Sequence, residues 1–340
     1  MRTQVQFFLL LVVAILIVVA CAPSPSAPAV AANARIFKFS LAQPADSSLF
    51  TGATKFAELV KQRTNGRYAI TVFPNASMAS GDSDKTLEMV QQGTIDFAYL
   101  STGLLSNADP RYSLPILPWL FTSTADVDKM INGPLGKEML TFFGEAKNMI
   151  GLAIAESGFR QLSNSKREVK TPDDLKGLKI RAPSVKAYTS TFNALGASPT
   201  SLSFPQVYDA LKQGTIDGQE NAFDTIVANK FYDVQRYITV WNYSYNALLL
   251  VANKTVWESI DKASQDIFLK AAQDACAFQI QEARRLEASQ IEFLKSKGVS
   301  ITTLTPDQIK AFRDKVTPVY AEYEPIIGKD LMSKYVTGAR

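Results

Sequence analysis

The chain has 340 residues, 46% of them hydrophobic, with 36 Lys and Arg against 32 Asp and Glu and no histidine. A net charge of +4 without a basic run argues against a nucleic-acid surface. The lack of histidine removes Ser-His-Asp and Cys-His nucleophiles and every histidine-bearing metal site, so neither a metal nor a cofactor is expected.

Phe7 to Ala20 is an unbroken apolar run behind Arg2. At ~1.5 Å per residue it makes about 21 Å of helix, short of a ~30 Å hydrocarbon core. Residues 1–20 therefore read as a signal peptide. Val18-Val19-Ala20-Cys21 resembles a bacterial lipobox with Cys21 as the lipidated N-terminus; cleavage after Ala32 or Ala34 is the alternative. Residues 21–34, uncharged and rich in Pro, Ala and Ser, read as a flexible tether. With Cys21 lipidated, Cys276 is left without a disulfide partner and reads as a small apolar residue of a helix.

The pentapeptide QGTID occurs twice, at Gln92 to Asp96 and at Gln213 to Asp217. Before the first copy, Arg35 to Leu41 reads as a strand, and Ser47 to Arg63 as a helix with Phe50, Ala53, Phe56, Ala57 and Val60 on one side. Tyr68 to Phe73 follows as a strand and Asp84 to Gln92 as a helix capped by Gly93. Ile95 to Leu100 is the third strand. Gly151 to Ser157 is a further apolar strand, and Thr171-Pro172-Asp173-Asp174 has the form of a capping box. The pattern then repeats: strand Leu178 to Ala182, helix Val185 to Leu195, strand Ser198 to Leu202, helix Pro205 to Gln213, Gly214, strand Ile216 to Glu220. The repeated pentapeptide thus marks one helix-to-strand junction in each of two β-α-β-α-β units, with glycine in the left-handed cap. Such alternation predicts mostly parallel sheets with a cleft beyond the strand ends, after Leu100 and after Asp217. Ser264 to Lys297 reads as one helix of about 50 Å, too long for a single small lobe. Its Glu282, Arg284, Arg285 and Glu287 read as a solvated face.

Arg181, ending the strand of Lys179-Ile180-Arg181, is the foremost site candidate, because a guanidinium held there needs an anionic partner. A structural ion pair is the competing reading. Arg160, after another apolar strand, and Asn221, after the second QGTID, are further candidates, each with a purely structural alternative. Tyr99, Phe204, Trp241, Tyr243 and Tyr245 lie near the expected strand ends and would favour a ligand with an apolar or planar part. Gly81-Asp82-Ser83 and Ser163 to Lys166 have enzyme-like spelling but lack the partners those chemistries need.

The run FRQLSNSKREVKTPDDLKGLKIRAPS…LGASPTSLSFPQVYDALKQGTIDGQEN, with LPILPWLF, NKFYDVQRYIT and the long C-terminal helix, resembles the DctP-type solute-binding subunits of TRAP transporters. The resemblance covers about Arg35 to Gly328. It implies an α/β fold of two periplasmic-binding-protein-like lobes with a hinge, residues 35–157 with 247–286 and residues 158–246 with 287–340, and the long helix spanning both. It also implies an extracytoplasmic, non-enzymatic receptor that closes on a small organic acid and delivers it to the small and large permease subunits. By the same resemblance Arg181 pairs with the ligand carboxylate, Arg160 and Asn221 line the pocket, and Phe204 packs on the ligand. Ser101 stands where sialic-acid receptors carry Glu, which argues against that ligand. Tyr243 stands where His is frequent, and Ala222 where Pro is usual. Trp241 and Tyr243 favour an aromatic or branched acid over a short dicarboxylate, and the short polar stretch from Ile327 to Arg340 favours a monomer. A receptor of another transporter or sensor on the same scaffold is the alternative reading.

Overall fold

The computed structural model describes residue 31 and residues 33–144 and 147–336. The expected leader, Cys21 and most of the tether lie outside the described residues. In chain order the elements that matter here are β1 (Arg35–Ser40), α1 (Ser48–Arg63), β2 (Tyr68–Phe73), α2 (Ser83–Gln91), β3 (Phe97–Ser101) and β4 (Met149–Asn164). Next come β5 (Lys179–Ala182), α3 (Lys186–Ala194), β6 (Ser198–Ser201), α4 (Val207–Gln213), β7 (Gly218–Asn221) and α5 (Phe223–Ala228). The chain continues through β8 (Tyr237–Asn253), α6 (Lys262–Ser296), β9 (Ser300–Thr303), α7 (Pro306–Ile327) and α8 (Lys329–Val336).

Each half carries a parallel trio, β2-β1-β3 and β7-β5-β6, as the strand–helix alternation implies. The two QGTID copies do the same work in both. Gly93 and Gly214 sit at φ +78° and +72° where a helix ends, a region an L side chain enters only at a cost. The aspartate then binds back to the first strand of its own unit. Asp96 Oδ2 accepts from the Lys38 amide at 2.7 Å, and Asp217 Oδ2 accepts from the Lys179 amide at 2.9 Å.

The trios belong to one nine-stranded sheet, ordered β2-β1-β3-β8-β4-β7-β5-β6 with β9 on β8. β4 and β8 make it continuous. They span 16 and 17 residues, about 55 Å at ~3.3 Å per residue, and pair antiparallel through both halves. The sequence reading ended the first of these strands near Ser157 and did not recognise the second as one long strand. Their register shifts at Gly151/Ala153, Glu156/Gly158 and Arg160/Leu162. Gly158, at φ +96°, sits opposite Asn246 where the strands leave one half for the other.

α6, with 35 residues, crosses both halves. Phe268, Ala271 and Ala275 pack against Phe37, Phe56 and Phe97 at one end, and Leu294 packs against Val207, Phe223 and Ile238 at the other. Between them Gln279 hydrogen-bonds the Glu156 backbone, donating to its carbonyl at 2.8 Å and accepting from its amide at 3.0 Å. Arg284 is a correction to the solvated-face reading. It forms a fork with the buried Glu156 carboxylate at 2.9 Å and reaches Asp128 at 2.8 Å. The halves are also tied by Asp224, which accepts from the Ser48 amide and hydroxyl at 3.1 and 2.9 Å and from Gln290 at 2.9 Å. α7 packs on α3 and on the Pro110–Ile116 turn, so it touches both sides. The stretch read as a short polar tail is α8, whose Met332 is buried in the core.

Candidate functional site

β5 and β7 run side by side with Arg181 level with Gln219, so the basic and amide side chains of the two strands emerge together at one end of the sheet. Between the halves lies a cavity of about 140 Å³. Arg181, Arg160, Asn221 and Phe204 line it from one half and Ser101 from the other.

Arg181 is 3% exposed. Its Nε and one terminal nitrogen both donate to the Leu202 carbonyl, at 2.9 and 2.7 Å, which fixes the plane of the guanidinium. The Phe204 ring centroid lies 5.8 Å from the guanidinium carbon, within cation–π range. No carboxylate pairs with Arg181 among the described residues. Burial pulls its pKa down to about 10, with Glu220 acting upward and Arg160 downward. The guanidinium is thus a buried cation held by the Leu202 carbonyl and the Phe204 ring, with Glu220 acting on it only at a distance.

Arg160 is the contrasting case. The fully buried Glu220 carboxylate grips it by two contacts, one of them Nη2 to Oε1 at 2.7 Å. The same nitrogen donates to the Glu220 carbonyl at 2.8 Å and to Asn221 Oδ1 at 3.1 Å. Burial alone would depress its pKa, but Glu220 outweighs burial and holds the value above the ordinary guanidinium range. Arg160 therefore borders the cavity as half of a neutral pair. Asn221 donates to Gln219 Oε1 at 2.6 Å, so its amide is oriented from both ends. Ser101 Oγ accepts from the Leu104 amide at 3.2 Å and starts the turn that carries Gly103 and Leu104 to the cavity wall.

Four of the five aromatic candidates lie elsewhere; Tyr245 is buried and donates to Glu156 Oε2 at 2.7 Å. Trp241 is packed among Trp119, Phe192, Tyr243 and Phe312 in the core under α7. Tyr243 is fully buried and donates to Glu220 Oε2 at 2.5 Å, so it supports the Arg160 pair from behind. Tyr99 is packed deeper along β3, against α1 and α6, with its hydroxyl 3.6 Å from Cys276 Sγ. Trp241 and Tyr243, the residues that favour an aromatic or branched acid, are packed in the core and do not line the cavity, so they give no support to such a ligand.

The family model for bacterial extracellular solute-binding protein, family 7, DctP, matches residues 39–325. The chain belongs to that family. Among relatives of this solute-binding protein, one described as a solute-binding protein in Verminephrobacter eiseniae is 33% identical over 88% of each chain. A TRAP periplasmic solute binding protein from Ralstonia eutropha, solved with (S)-2-acetolactate, superposes with a TM-score of 0.86 at 37% identity, covering 89% of this chain and 98% of that one. A second, from Polaromonas, bound to D-erythronate, gives a TM-score of 0.84 at 33% identity, covering 88% and 98%. These are two-lobe receptors, and the DctP-family protein described here shares their architecture.

The cavity of this family member also includes Gln43, Asp84, Tyr188 and Asn246, which sequence reasoning did not single out, and Asp82, which it noted only within an enzyme-like spelling. Tyr188 lies with its ring centroid 5.0 Å from the Arg160 guanidinium carbon, and burial raises its pKa to about 12. The signal for Asn246 was one amide entering the otherwise apolar run Ala247 to Ala252. No helix among the described residues is long and apolar enough to cross a membrane.

Proposed function

We propose that this extracytoplasmic receptor binds a small organic acid by its carboxylate, between the lobes, and delivers it to the small and large permease subunits of a TRAP transporter. The observation that carries this reading is the buried Arg181 guanidinium, bordering a cavity and without a carboxylate partner among the described residues. An ion buried in that way is costly until an anion arrives, and a carboxylate fits the guanidinium fork with two hydrogen bonds. The acids in both solved relatives carry a carboxylate, which supports the same class of ligand here. Arg160, Asn221, Phe204 and Ser101 complete the proposed pocket. The protein acts as a carrier and not as an enzyme, anchored at Cys21 by lipid and working as a monomer. Its lobes, residues 35–157 with 247–286 and 158–246 with 287–340, hinge where Gly158 faces Asn246.

Thermal unfolding against a panel of organic acids and their amides tests this. A ligand at 100 times its Kd adds about 2.7 kcal/mol. A shift with an acid and none with its amide is expected. Equal shifts with both would remove the carboxylate from the recognition.

A further inference from the structure

The cavity offers one uncompensated positive charge. Among the described residues that line it, the cations are Arg181 and Arg160, and Arg160 is already neutralised by Glu220. Asp82 and Asp84 stand exposed at the rim, where they repel further negative charge. A monoanion balances this arrangement. The second carboxylate of a diacid would be desolvated with no cation to meet it.

The neutral polar groups then say what the rest of the ligand carries. Asn246 is 6% exposed, and its amide oxygen is buried without a hydrogen-bond partner. The Gln43 amide oxygen is in the same condition, the Tyr188 hydroxyl has no partner at hydrogen-bond geometry although Ser244 is near enough to act on it, and all three residues line the cavity. Buried polar atoms are overwhelmingly paired, so three orphans on residues that line one cavity, of eight among the described residues, point to a ligand that supplies the partners. An amide oxygen only accepts, so its partner must donate; a hydroxyl does, whereas a carboxylate or a keto group does not. With the Asn246 amide turned over, its nitrogen would need an acceptor, and a hydroxyl serves there as well. The volume, about 140 Å³, is below the ~300–1,000 Å³ of drug-sized sites, which keeps the chain short.

We infer that the cavity selects a short hydroxylated monocarboxylate over a dicarboxylate, with Asn246 and Tyr188 reading the hydroxyls. This rests on Arg181 as the carboxylate clamp.

The test is isothermal titration calorimetry on the purified protein, stripped of carried-over ligand by unfolding and refolding. The probes are 2,3,4-trihydroxybutanoate, its amide, butanoate and succinate. The trihydroxy acid should bind about 100-fold tighter than butanoate, two hydrogen bonds at about 10-fold each, and at least about 100-fold tighter than succinate. Asn246→Leu and Tyr188→Phe should each remove about 10-fold from the trihydroxy acid and leave butanoate unchanged. Tyr188→Phe deletes one oxygen and keeps the residue assignment testable where Asn246→Leu fails to fold. Succinate binding as tightly as the trihydroxy acid overturns the inference and leaves the carboxylate clamp standing. The amide binding as tightly as its acid overturns the clamp instead. Failure of the trihydroxy acid to bind overturns the inference, and unchanged affinity in both variants overturns the assigned residues.

Discussion

Replacing Arg181 with methionine should make the empty protein slightly more stable and leave it unable to bind. A guanidinium pKa of about 10 lies at least ~2 pH units below its ordinary value, and at ~1.36 kcal/mol per unit that is about 3 kcal/mol. The sign follows from the charge type. A cation whose folded pKa is depressed costs stability at every pH below that pKa, and the cost fades as pH rises through about 10. Against this, the methionine leaves the Leu202 carbonyl without its two donors, a loss of about 1–3 kcal/mol. The net gain is on the order of 1 kcal/mol, or roughly 2–4 °C in Tm on the scale of 150–250-residue domains. Ligand reverses the ranking, because the wild type gains about 2.7 kcal/mol at 100 times Kd and the variant gains nothing. Differential scanning calorimetry at neutral pH, with and without ligand, reads both halves of the prediction. An empty variant that melts well below the wild type would refute the idea of an unanswered buried charge. A variant that still responds to the acid would refute the clamp.

Other residues test the frame around that charge. Glu220→Gln should destabilise the protein by about 3–5 kcal/mol in urea titration, since it leaves Arg160 buried without its carboxylate beside the equally buried Arg181. Gly158→Ala should cost about 1–2 kcal/mol from the left-handed backbone alone, because the added Cβ meets only the Ala222 Cβ at 3.9 Å; a much larger loss would mean that the β4–β8 crossing is tighter than the structure describes. Asp217→Asn should cost about 1 kcal/mol, and Asp96→Asn less, because burial already disfavours the Asp96 carboxylate whereas Asp217 also pairs with Lys166 at 3.4 Å. A larger loss at Asp96 than at Asp217 in chemical denaturation would refute that ranking.

What was legible in the sequence is what local chemistry decides. Glycine after a helix, the Thr171 capping box and the alternation of β1 and β2 each answer to neighbours a few residues away, so both units emerged with nearly correct ends. The crossing strands did not, because three register shifts break the two-residue period of β4, and much of β8 is buried on both faces. With no exposed face to alternate against, Trp241, Tyr243 and Tyr245 looked like residues at strand ends, when they are the packed middle of one strand. The site divides along the same line. Arg181 was legible because a charge closing an apolar strand demands a partner whatever the fold. Whether Arg160 was free to bind ligand depended on Glu220, sixty residues away and brought beside it only by β4 pairing with β7. Asn246 enters the cavity only because β8 passes from one half to the other opposite Gly158. The anchoring charge can therefore be read from spacing, whereas the neutralised charge and the orphaned amide that discriminate between acids exist only once the two long strands are in register.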